Sequence, residues 1–158
     1  MKISAVSPNN RKKCFEIVTD SKSFTFPYTK LDNPPTADNP IERFFVDKEL
    51  GNEAFTYVLK DGSENSVLLD QILDYHQDPK YMSDMLLYKL TVEAKKRIDE
   101  GKISIRNLAR IMGTSPAQLY RLTDTTNYNK SINKVLLLLH FLGCEVDLTV
   151  RNRKNGAM

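Results

Sequence analysis

The sequence predicts an α+β protein, with a small β-rich N-terminal domain over residues 1–79 and an all-α domain over residues 80–158 that closes on a terminal β-strand. Three observations carry this expectation. Apolar residues alternate at a period of two through much of the first half, and recur at helical spacing through most of the second. Charge changes sign at the same place. Residues 80–158 hold 14 Lys and Arg against 7 Asp and Glu, whereas residues 1–79 hold 9 against 13, so the whole-chain charge of +3 conceals an acidic half and a basic half. Finally, 158 residues with 41% hydrophobic content suffice for two small cores.

In the first half, Lys13–Thr19 and Ser23–Tyr28 alternate around Asp20-Ser-Lys22 and read as a hairpin. Leu31–Pro40 is rich in Pro, Asn and Asp and reads as a surface loop. Arg43–Val46 and Ala54–Leu59 supply two more strands, the second closed by the turn residues Lys60-Asp-Gly-Ser63. Val67–His76 is expected as a short helix on that sheet. Asp78-Pro79 marks the boundary, because proline suits a new helix start.

The second half should open with a long helix, Tyr81–Glu100, burying Met85, Leu86, Leu90, Ala94 and Ile98. Ser104 can cap a second helix, whose apolar positions are Ile105, Leu108, Ala109 and Met112. Gly113 falls where the chain must leave that helix, a place that often requires positive φ. Ser115-Pro116 then forms an N-cap with proline at the first helical position. Leu119 and Leu122 pack inward from this third helix, leaving Ala117, Gln118, Tyr120 and Arg121 on the outer side. Asp124–Lys130 is a polar loop, and Ser131 starts a last helix through Val135, Leu136, Leu138, Leu139 and Leu142 that ends at Gly143. The run Leu136–Leu139 suggests burial on several sides, although this helix is also a candidate dimer surface. Glu145–Arg151 alternates as a terminal strand and needs a partner, either the other domain or its own copy in a second subunit.

Ala109, Gly113 and Leu119 stand four and then six residues apart, which puts a small residue at a helix crossing, glycine at the turn and an apolar residue facing inward. This is the layout of a DNA-binding helix-turn-helix. Residues 84–151 resemble the lambda-repressor-like (Xre-type) helix-turn-helix proteins, especially antitoxin-type members whose final helix ends in Leu-Gly before a short Glu-Val strand, here Phe141-Leu-Gly-Cys-Glu-Val-Asp-Leu-Thr-Val150. The segments Cys14–Tyr28 and Phe45–Leu73 look more loosely like a small bacterial β domain of unknown function.

The resemblance implies that Ser115–Leu122 enters the major groove of double-stranded DNA. Gln118 would then pair with adenine, and Arg121 with guanine or a phosphate, while Ala117 and Tyr120 share the groove-facing side. Arg106, Thr114 and Ser115, near helix N-termini, would contact phosphates, as would Asn127, Tyr128 and Lys130 in the following loop. Ile105 departs from the pattern, standing where many relatives place Gln, and so removes one polar contact. A single motif reads few base pairs, so a homodimer is expected.

The sequence offers no phosphate-binding glycine loop, no zinc spacing and no nucleophile setting, so no enzyme activity, cofactor or metal is expected. His140 reads as a structural histidine, and His76 as one favoured by a helix C-terminus. Cys14 and Cys144 lie far apart and read as buried thiols of a reducing compartment. With no long apolar run and no signal-peptide core at Met1–Pro8, a cytoplasmic protein without a membrane role is expected. Two readings stand side by side: a sequence-specific transcriptional regulator, or an antitoxin-like interaction module that keeps the helix-turn-helix as scaffold and covers a protein partner with its N-terminal domain.

Overall fold

The computed structural model describes residues 1–154 and divides into two compact units, Met1–Asp78 and Pro79–Met158. Strands and helices together make the protein α+β.

The first unit holds two antiparallel three-stranded meanders. One runs β1 (Ile3–Asn9), β2 (Cys14–Thr19), β3 (Ser23–Pro27), and the other β4 (Ile41–Val46), β5 (Ala54–Leu59), β6 (Glu64–Leu68). Helix α1 (Leu69–His76) follows and packs against β3 and β6. β5 is buried along its whole length because it is the central strand of its sheet and both its faces are covered. Its polar member, Thr56, satisfies its hydroxyl with Asp47 Oδ2 at 3.0 Å and Ser66 Oγ at 2.7 Å, so burial costs it no hydrogen bond. Phe15 of β2 joins the two sheets, with its ring centroid 4.7 Å from Phe55, 5.3 Å from Tyr57 and 5.4 Å from Tyr28. These spacings are those of tilted and edge-on aromatic pairs, which contribute about 0.5–1.5 kcal/mol each beyond area burial. His76, in the last turn of α1, sets Nε2 2.6 Å from the Thr25 carbonyl.

The second unit is helical: α2 (Pro79–Glu100), α3 (Ile105–Met112), α4 (Pro116–Thr123) and α5 (Ile132–Phe141). Its core gathers Leu87, Ala94 and Ile98 of α2, Leu108 and Ala109 of α3, Leu119 and Leu122 of α4, and Val135, Leu138 and Leu139 of α5. No helix among the described residues is long and apolar enough to cross a membrane.

Several expectations are corrected by the fold. β1 forms where no element was expected: only Ile3 is fully buried along it, so the strand leaves little hydrophobic pattern to read. Val67 and Leu68 belong to β6, so the helix begins at Leu69; there Gln71 Oε1 accepts from the Leu68 N–H at 2.8 Å. The buried stripe of α2 is Leu87, Thr91, Ala94 and Ile98, with Leu86 exposed and Leu90 only partly buried. Thr91 escaped a hydropathy reading, yet its hydroxyl donates to the Leu87 carbonyl at 2.6 Å and leaves only a methyl to bury. Leu136 and Leu137 are exposed rather than core, since α5 offers a single face to α2. Ser131 precedes α5 without a side-chain cap bond. Of the two free thiols, Cys14 is buried and Cys144 only half-buried. The terminal strand expected at Glu145–Arg151 belongs to neither sheet among the described residues. A strand exists by its ladder, and residues 145–151 make no backbone hydrogen bond among the described residues.

Tyr57 gives the first unit a measurable pH dependence. The residue is 1% exposed and its hydroxyl donates to the Asn33 carbonyl at 2.8 Å. Burial pushes its pKa up to about 12. The fold therefore keeps a proton that the unfolded chain releases near the ordinary tyrosine value of about 10, and stability falls as pH rises between these values, then levels off. Urea midpoints from pH 9 to pH 12 should show the wild type losing on the order of 2 kcal/mol more than Tyr57→Phe; equal slopes would contradict the assignment.

Candidate nucleic-acid interface

The turn between α3 and α4 is built from local chemistry. Ser104 caps α3, its Oγ accepting from the Asn107 N–H at 3.1 Å. Gly113 ends that helix in the left-handed region at φ 68°, and the following Thr114 N–H returns to the Ala109 carbonyl at 2.9 Å. A Cβ on Gly113 would meet nothing within 4 Å, so glycine is required here for its backbone and not for space. Ser115 caps α4 by accepting from the Gln118 N–H at 3.1 Å, and Pro116 occupies the first helical position. Ala109 is buried in the core that also takes in Leu119 and Leu122, so α3 and α4 meet on small and apolar side chains.

Burying Leu119, Leu122 and Thr123 leaves Ala117, Gln118, Tyr120 and Arg121 exposed on the outer side of α4, with Tyr120 at 63%. Gln118 and Arg121 are one helical step of three apart and share a face. Beside them lies a cleft of about 520 Å³, lined by Thr114, Gln118, Arg121, Asn127, Asn129, Lys130, Ser131 and Lys134 over an apolar floor of Met112, Leu119, Leu122 and Leu137. Three of these residues are cations and none is an acid.

The remaining expected residues divide. Arg106 and Tyr128 are exposed, Arg106 in the first turn of α3 and Tyr128 in the loop before α5. Thr114 is half-buried at the cleft wall. Ser115 accepts the cap bond on one lone pair of its oxygen, and its hydroxyl proton remains to donate to a ligand. Asn127 and Lys130 are turned inward. Asn127 Nδ2 donates to the Arg121 carbonyl at 3.2 Å, and its Oδ1 accepts from the Asn129 N–H at 3.0 Å. Lys130 Nζ donates to the Leu122 carbonyl at 2.9 Å and the Asp124 carbonyl at 2.8 Å, closing the C-terminus of α4. Burial pulls its ammonium below the ordinary lysine value, with Asp124 acting in the opposite direction. Two of its three donors are thus used within the fold. Asp124 is held below the ordinary carboxylate value because the Thr126 hydroxyl and N–H both donate to its Oδ1.

Lys134, Asn129 and Ser131 reach the cleft without having been expected there. Lys134 was legible only as one more charge in the basic half. Its place follows from the loop, which folds back through Asn127 and Lys130 and brings the first turn of α5 alongside α4. Among the described residues, no group of three or more His, Cys, Asp or Glu could hold a metal ion.

The geometry separates what holds α4 from what it presents. Leu119→Ala should cost about 2–5 kcal/mol of stability and Gly113→Ala about 1–2 kcal/mol, whereas Gln118→Ala should stay within about 0.5 kcal/mol. Thermal or urea denaturation of the three variants checks this, and a Gln118 variant as damaging as Leu119→Ala would contradict the assignment of faces.

Compared with known proteins, residues 88–125 match the family model described as the helix-turn-helix domain of resolvase, a stretch running from within α2 to just past α4. No curated protein and no solved structure matches the chain. Residues 88–125 thus resemble a helix-turn-helix domain, with α3 and α4 as the two helices joined by the turn.

Proposed function

We propose that this protein is a sequence-specific DNA-binding protein, a transcriptional regulator that acts as a homodimer and inserts α4 into the major groove. The observation that carries the reading is the outer face of α4, where Gln118 and Arg121 stand exposed beside a cleft with three cations and no acid. Gln118 has the donor–acceptor pair that matches adenine, and Arg121 has the fork that matches guanine or a phosphate. Arg106, Thr114 and Lys134 would contact backbone phosphates, and Lys130 would act mainly by fixing the loop that carries Asn129 and Ser131. The match to a resolvase helix-turn-helix supports DNA as the ligand. The finer likeness to lambda-repressor-like and antitoxin-type proteins belongs to this proposal and supplies the homodimer. Two copies of α4 would face half-sites about 34 Å apart. Binding is the whole activity in this reading, without catalysis or cofactor, in a cytoplasmic setting that suits two free thiols.

A protein partner for the first unit is the second reading, favoured by Phe44 and Phe45, which are both exposed on β4 at the end of its sheet. In that case the helix-turn-helix would be a scaffold.

Selection of bound duplexes from a random pool tests the proposal, run with the wild type beside a Gln118→Ala, Arg121→Ala double variant whose fold circular dichroism verifies. The expected result is a two-fold related motif enriched by the wild type alone, each lost base contact costing about 1–3 kcal/mol of discrimination. Weak, sequence-blind binding unchanged in the variant would overturn it and favour the protein-partner reading.

A further inference from the structure

The first unit has a cavity of its own, of about 260 Å³, walled by Lys30, Asp32, Glu64 and Asn65 over Phe26 and Tyr57. The fold fixes its wall. The Tyr57 hydroxyl donates to the Asn33 carbonyl at 2.8 Å, and Asn33 Nδ2 donates to Ser63 Oγ at 3.0 Å, so the segment carrying Lys30 and Asp32 is pinned to β5 and to the turn after it. Asn65 breaks the pattern of its strand. The ladder sets Val67 opposite Phe55 and Asn65 opposite Tyr57, and both aromatic rings pack on Phe15 in the core. Directly opposed residues share a face, so Asn65 holds a position where β6 calls for an apolar side chain. Its Nδ2 is buried and has no hydrogen-bond partner among the described residues. A donor left in that state costs stability, and breaks of a local rule that a fold retains concentrate at functional sites. The amide turns about its last bond on a broad, nearly two-fold torsion, so either of its ends can face the cavity it lines. Lys30, Asp32 and Glu64 are exposed, and none of them belongs to an ion pair among the described residues.

We propose that this cavity binds a free α-amino acid, with its ammonium on the Asp32 and Glu64 carboxylates and its carboxylate on the Lys30 ammonium and the Asn65 amide. Charge selects the ligand. The wall carries both signs, so a molecule of one sign would leave the opposite group unanswered or repelled, whereas a zwitterion answers both. Size selects it too: the volume lies below the roughly 300–1,000 Å³ of pockets that hold drug-sized molecules, which suits a single small metabolite. Phe26 and Tyr57 give its side chain an apolar floor. Because the segment over the cavity is already tied down, binding spends little on ordering the protein. The proposal is independent of the DNA-binding reading and stands or falls without it.

Amide chemical shifts of the full chain, titrated with each standard L-amino acid in turn, test the proposal. The expected result is that at least one of them shifts the amides of residues 30–32 and 64–71 with a dissociation constant below about 10 mM. Its N-acetyl and carboxamide derivatives, which each lack one of the two charges, should bind at least about tenfold more weakly. Lys30→Gln and Glu64→Gln, at exposed positions that leave the fold intact, should weaken the amino acid by a similar factor. Asn65→Val should weaken it as well and, without ligand, melt above the wild type, because it removes the orphan amide from the core side of β6. If no amino acid shifts these amides, the cavity holds water only and the proposal is overturned. Binding that is unchanged by both Glu64→Gln and Asn65→Val, or equally strong for the uncharged derivatives, overturns it too.

Discussion

Helix α4 has eight residues, too few to hold a helix in water without tertiary support. What orients it is the burial of Leu119 and Leu122 in a core shared with α2, α3 and α5. Every property of the candidate interface follows from that packing. Once Leu119 faces inward, the 3.6-residue period sends Gln118 and Arg121 outward together, and no rotation of α4 that buries the leucines also hides those polar groups. The left-handed turn at Gly113 and the cap at Ser115 set where the helix begins, and Lys130 closes its far end on two carbonyls. Short helices that present side chains to a ligand need both ends fixed in this way, because fraying would spend binding energy on order.

Division of labour among the cations is the second consequence. A lysine bonded to two carbonyls and partly withdrawn from water serves the fold first, so the electrostatic attraction of the site falls to Arg121, Lys134 and the exposed Arg106. In the proposed complex, contacts from such groups to phosphates would set orientation and salt dependence, and base discrimination would rest with Gln118 and Arg121. Arg121 would serve both purposes, whereas Gln118 is uncharged and Arg106 and Lys134 supply charge alone.

How much of this was legible in the sequence depended on whether a residue's role was local. Ser104, Gly113, Ser115 and Pro116 act within a few residues of themselves, and their caps and turn could be read directly. The hairpin of β2 and β3 announced itself by alternation, and β5 by its β-forming residues and the turn that closes it. Thr91 was hidden because a back-bonded threonine buries like an aliphatic residue, which no hydropathy pattern records. β1 was hidden because a strand with a single fully buried side chain is held mainly by its ladder bonds to β2. Lys130 and Lys134 were ambiguous for a related reason: their roles depend on how a loop folds back, and that is a long-range fact. Glu145–Arg151 shows the converse. Its pattern is that of a strand, but a single chain provides no ladder for it among the described residues.

Amide chemical shifts of isotopically labelled protein titrated with a short duplex at low salt test most directly the proposed reception of DNA by the outer face of α4 and the adjoining cleft. The expected shifts are concentrated at Thr114–Arg121 and Asn127–Lys134 and are reversed by added salt. Shifts confined to residues 1–78, or no shifts at all, would contradict it.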